Sequence, residues 1–91
     1  MAERKPKVPV IFRADKGGDF EGVVTAVFPA TENPITGYAT CYGHVGQHSE
    51  CSRRWYQGTR PATPEEYAPL LAELTSIYTD EELVVRTRWT R

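Results

Sequence analysis

The sequence predicts an α+β domain: a four- to five-stranded, mostly antiparallel sheet with one helix packed on one face, in the order β-β-β-β-α-β. Three observations carry this. Short β-branched and aromatic runs are separated by clusters of turn formers. One segment repeats its apolar residues at helical spacing behind a capping signature. The chain has 91 residues, 40% hydrophobic and 25% charged, which suits a single core and excludes a disordered chain.

Met1 to Lys7 holds Arg4, Lys5 and Lys7 around Pro6 and reads as a basic tail, leaving residues 8–91 as the domain. Val8 to Arg13 reads as the first strand, with Pro9 tolerable only near a strand start or an edge. Asp15-Lys16-Gly17-Gly18-Asp19 reads as a hairpin loop, and Phe20 to Phe28 as the second strand. Pro29 to Gly37 is a loop and Tyr38 to Val45 the third strand. Gly46 to Cys51 is a turn region, and Ser52 to Gln57 the fourth strand, ended by Gly58.

The helix begins at Thr63-Pro64-Glu65-Glu66. A threonine hydroxyl can cap, proline suits the first helical position, and Glu66 stands where a capping-box partner belongs. Tyr67, Leu70, Leu71, Leu74, Ile77 and Tyr78 then form one apolar stripe. Pro69 removes a backbone donor in mid-helix, so a kink or a tight first turn is expected there. Leu83 to Trp89 alternates and reads as the last strand.

The formal net charge is −1, which argues against a whole-surface electrostatic nucleic-acid binder. The near-neutral total hides a separation. Thr63 to Glu82 carries Glu65, Glu66, Glu73, Asp80, Glu81 and Glu82 with no Lys or Arg, whereas Arg53, Arg54, Arg86 and Arg88 fall on the predicted fourth and last strands. Alternation in the last strand puts Leu83, Val85, Thr87 and Trp89 under the helix and Arg86 and Arg88 on the other face. In the third strand the small residues Ala39, Cys41 and Gly43 are expected under the helix, which turns Tyr38, Tyr42 and His44 outward. The expected open face is therefore Tyr38, Tyr42, His44, Arg86 and Arg88, joined by Arg54 and Tyr56. Arginine offers bidentate anion contacts and tyrosine a stacking surface. Such a face suits an anionic small ligand, an acidic protein surface, single-stranded nucleic acid, or a second copy of the chain in a homodimer.

Cys41, His44, His48 and Cys51 follow a C-x2-H-x3-H-x2-C spacing, and all four are zinc-ligand types. Cys41 and His44 are an odd number of positions apart on a predicted strand and so point to opposite faces. The simpler reading makes Cys41 a small core residue and the histidines surface or turn residues. No metal or other cofactor is expected. No phosphate-loop, dinucleotide, zinc-protease or cysteine-protease string occurs, so a binding role is favoured over an enzymatic one. A zinc-stabilised module or a Cys/His enzyme stands as an alternative. No apolar run approaches the ~20 residues that span a bilayer. The charged start has no apolar segment behind it, so a cytoplasmic location with both cysteines as thiols is expected.

Four strings carry a resemblance: Val10-Ile11-Phe12-Arg13; Val24-Thr25-Ala26-Val27-Phe28-Pro29; Tyr42-Gly43-His44-Val45-Gly46-Gln47-His48, whose last five residues are the most distinctive; and Thr59-Arg60-Pro61-Ala62-Thr63-Pro64-Glu65-Glu66-Tyr67. Together they resemble a group of small hypothetical proteins encoded by bacteriophages and other mobile elements, over Val10 to Tyr78. Thr25-Ala26 and the longer Asp80-Glu81-Glu82 turn depart from that pattern. The resemblance implies a genetic setting and little chemistry: an accessory protein that binds a host protein or a small anionic ligand, with counter-defence as one such role. The expected ligand-binding residues are Tyr42, His44, Gln47, His48, Arg54, Arg86 and Arg88.

Overall fold

Nine residues of extended chain open the fold, Lys7–Asp15 (β1), and every other strand but two pairs with them. The computed structural model describes residues 6–17, 22–43 and 48–89. Along the chain follow β2 (Val24–Phe28), a 3-10 turn (Pro29–Thr31), β3 (Ala39–Tyr42), β4 (His48–Cys51), α1 (Arg53–Gln57), β5 (Thr59–Pro61), α2 (Pro64–Ile77) and β6 (Glu82–Arg86). The described strands form one six-stranded sheet in the order β4-β3-β2-β1, with β5 and β6 sharing the far edge of β1. All pairs are antiparallel except β1–β6. The α+β architecture is as the sequence predicts, with one more strand and one more helix.

Pro9 fits inside β1 for a local reason. The Asp15 amide donates to Val23 O, so odd positions of β1 turn their amides toward β2. The β2 ladder runs only as far as Ile11↔Val27. Pro9 therefore lies past the end of β2, where its missing N–H breaks no ladder bond.

Two cores sandwich the sheet. On one face Val10, Phe12, Val24, Ala26, Phe28 and Tyr42 pack with Leu70 and Leu74 of α2, both of which are fully buried. The Phe12 and Tyr67 rings stack at 4.5 Å. On the other face Ile11, Val27, Ala39, Cys41, Cys51 and Trp89 pack with Trp55 and Tyr56 of α1.

The helix reading holds in detail. The Thr63 hydroxyl accepts from the Glu66 amide and the Glu66 carboxylate accepts from the Thr63 amide, so both halves of the capping box form. Pro69 lies inside the helix at an exposed position. Ile77 departs from the predicted stripe: it is half exposed, and the last turn of the helix meets the core through Leu74 and Tyr78 instead.

Four expectations are corrected. Ser52–Gln57 is not a strand: Ser52 is an N-cap accepting from the Trp55 amide, and Arg53–Gln57 is helical. The fourth strand is instead the segment before it, and Thr59–Pro61 is a further strand against Arg13–Asp15. The faces of the third strand are inverted. Tyr42 stands opposite Ala26, on the α2 side, and Cys41 opposite Val27, on the α1 side. Small residues do lie under a helix here, but that helix is α1, whose Trp55 needs the room. Finally, Trp89 packs on the α1 face rather than under α2. Strand geometry ends at Arg86, and the period-2 rule ends with it. The second face thus carries a core of its own beneath α1 and Trp89, where the sequence suggests an uncovered face.

Candidate functional site

The described arginines divide into two groups. Arg13, Arg53 and Arg60 are tied down. Arg13 is buried, donating through Nε to Thr59 Oγ1 at 2.8 Å and through Nη2 to Thr59 O at 2.6 Å, with its guanidinium over the Tyr56 ring. Arg60 makes a bidentate pair with Glu66 at 2.8 and 2.7 Å. Arg53 grips Glu32 through Nε and Nη2 at 3.0 and 2.9 Å and lies over the Trp89 ring at 4.6 Å. The Trp89 indole N–H donates to the same carboxylate at 3.1 Å. The carboxylate raises the Arg53 pKa.

Arg54, Arg86 and Arg88 are exposed, and no side-chain hydrogen bond or ion pair engages them among the described residues. Arg54 sits apart on α1. Arg86 and Arg88 come together along one open groove of about 650 Å³. The groove forms where β2 gives way to the 3-10 turn and leaves Pro9 uncovered, so its walls are Pro9, Pro29, Ala30 and Pro34. Glu32 is its other charged lining residue, already held by Arg53 and Trp89. The groove is therefore rigid-walled, apolar between its charges and net cationic.

Other predicted residues lie elsewhere. Tyr42 is buried on the α2 face and donates its hydroxyl hydrogen bond to Glu73; that carboxylate raises the Tyr42 pKa. His48 is exposed beside it, with ring centroids 4.8 Å apart, and its Nε2 lies 2.7 Å from the Tyr78 hydroxyl. Burial raises the Tyr78 pKa. Tyr38 is half exposed on the α1 side, near Cys41. His44 and Gln47 lie outside the described residues. The single Tyr/Arg face that the sequence suggests is therefore not assembled: Tyr42 and His48 belong to the α2 side, and Arg86, which pairs with Ile11, belongs to the α1 side.

The same inversion separates the zinc-ligand types. Cys41 and Cys51 share the α1 face, while His48 stands opposite Tyr42 on the α2 face, so these three cannot converge on one ion. Among the described residues no group of three or more His, Cys, Asp or Glu is placed to hold a metal. No described helix is long and apolar enough to cross a membrane.

Arg86 and Arg88 are legible in the sequence as an alternating pair. Their surroundings are not. Pro9, Pro29 and Pro34 read only as loop or edge markers, and the Glu32–Arg53–Trp89 brace joins residues too far apart in the chain for any spacing rule to link. Comparison of the chain with protein-family models, with curated proteins and with solved structures finds no match.

Proposed function

We propose that this is a non-enzymatic binding protein that takes an acidic segment of a partner protein into the groove between Arg86 and Arg88. The observation that carries the reading is the contrast among the arginines. Those with structural duties are paired, whereas these two have no side-chain partner among the described residues and share one groove. Two guanidinium groups recognise carboxylates well, and proline walls present a rigid apolar surface to an extended chain. Bases, by contrast, need aromatic platforms, and none lines the groove, so a protein segment is favoured over nucleic acid. The resemblance to small phage-encoded proteins makes a host protein the partner to look for, and counter-defence the role such capture would serve.

The test is fluorescence anisotropy with a glutamate-rich peptide against its glutamine counterpart, for the wild type and the Arg86→Ala/Arg88→Ala double variant. Exposed ion pairs contribute up to about 1 kcal/mol each, so the double variant should lose about 2 kcal/mol, or roughly 30-fold in affinity. Its binding should also become insensitive to salt. Equal affinity of both proteins would remove this reading. An oligonucleotide binding more tightly than the peptide would move the assignment to nucleic acid, and full competition by pyrophosphate would move it to a small anion.

A further inference from the structure

Cys41 and Cys51 are both free thiols on the α1 face. In the β3–β4 ladder Ala39 stands opposite Cys51 and Cys41 opposite Ser49, so the cysteines are diagonal neighbours on one face. Their thiols lie close enough for each to shift the other's pKa. The Cys41 sulfur also meets the Ser49 hydroxyl at 3.2 Å. Both cysteines line a second groove, about 490 Å³, together with Thr25, Tyr38 and Trp55. Each cysteine residue is only 6% exposed, so the groove is the approach to the sulfurs. Cys41 packs in the α1-side core, and its sulfur also meets a hydroxyl and lies beside a second thiol.

We infer that Cys41 and Cys51 form a thiol–disulfide exchange site, in which Cys41 attacks a low-molecular-weight disulfide entering this groove and Cys51 resolves the product. In the first step the Cys41 thiolate forms a bond to one sulfur of the incoming disulfide. The disulfide's own S–S bond breaks, and one thiolate leaves to take a proton from water. In the second step Cys51 gives up its proton to solvent and attacks the Cys41 sulfur. The Cys41–Cys51 bond forms, and the second thiolate departs and is protonated. The protein dithiol is oxidised by two electrons and the small disulfide is reduced to two thiols. Closing the bond draws the cysteines together across β3–β4, which the short edge strand β4 allows, since it is paired on one side only.

The order of attack follows from the hydrogen bonds. The Cys51 thiol, and after it the Ser49 hydroxyl, lower the Cys41 pKa to about 6, against burial and the Glu50 carboxylate, which push it up. Cys51 is pushed up by the same contact and by burial. Cys41 is thus the nucleophile and Cys51 the proton-bearing partner. The lowered pKa leaves more of Cys41 as thiolate at pH 6 than of an ordinary thiol. Its lower basicity returns only part of that gain, so Cys41 is the faster nucleophile.

The experiment treats the reduced protein with oxidised glutathione at pH 6 and follows intact mass. The wild type should lose two hydrogens and keep no adduct. Cys51→Ser should retain one glutathione, mapped to Cys41, and Cys41→Ser should react more slowly than Cys51→Ser. A wild type that stays unmodified, a stable adduct on the wild type, or equal rates in both variants would overturn the assignment. Competitive alkylation of the wild type with iodoacetamide gives the same answer without relying on the variants: Cys41 should label faster than Cys51, and equal labelling would refute the site.

Discussion

Replacing Trp89 with alanine tests whether the second sheet face is a true core. Trp89 is 6% exposed. Its ring meets Tyr56 edge-on at 5.3 Å, carries the Arg53 guanidinium on its face, and donates through Nε1 to Glu32. Truncating a buried tryptophan to alanine costs about 3–5 kcal/mol. For a domain of this size each kcal/mol moves Tm by about 4–8 °C, so the variant should melt some 12–40 °C lower, or be unfolded at room temperature if the whole domain is worth only about 5 kcal/mol. Trp89→Phe separates packing from hydrogen bonding. It keeps most of the apolar bulk and loses the indole donor, while Glu32 keeps its bidentate bond from Arg53. Its cost should stay near 1 kcal/mol. Urea denaturation followed by far-UV circular dichroism gives both values. A Trp89→Ala variant within about 1 kcal/mol of the wild type would refute the reasoning. The α1 face would then be a solvated surface, and the Glu32 wall of the cationic groove would have no brace behind it.

Two further predictions concern the local signals. Ser52→Ala removes the acceptor for the Trp55 amide and should cost about 0.5–2 kcal/mol by the same denaturation assay; no change would mean that α1 is held by Trp55 packing alone. Glu66→Gln addresses pH. Arg60, and next the Thr63 amide, depress the Glu66 pKa from 4.5 to about 2. A depressed carboxylate adds stability that is fully present above its unfolded value and is lost as pH falls through the folded one. The Tm gap between wild type and Glu66→Gln should therefore be constant above about pH 5 and close between about pH 4.5 and 2, and a gap independent of pH would show that the Arg60 pair contributes nothing through its charge.

The parts of the fold that were legible are those whose causes are local. The α2 start is written in Thr63, Pro64 and Glu66, because a capping box closes over four adjacent residues. The missed helix had a local signal too: Ser52 before it and Gly58 after it are cap residues. The aromatic pair Trp55-Tyr56 reads as strand by propensity, which is a weak guide when tertiary packing supplies the reason for the aromatics. Arg86 facing away from α2 was also readable, since strand alternation holds through the end of β6.

By itself, then, the sequence determined the α+β class, the capped helix with Leu70 and Leu74 at its buried centre, and the division of β3 and β6 into two alternating faces. Only the tertiary structure decided which face meets which helix. Period-2 alternation says that Tyr42 and Cys41 point oppositely, but not which of them lies under α2; the choice is made by the β2–β3 register, where Ala26 faces Tyr42. The same long-range packing brings Glu32, Arg53 and Trp89 together, leaves Arg86 and Arg88 without a side-chain partner among the described residues beside three prolines, and sets two cysteines diagonally on one face of an edge pair of strands. These are contacts between residues distant in the chain, and no local spacing rule encodes the geometry that joins them.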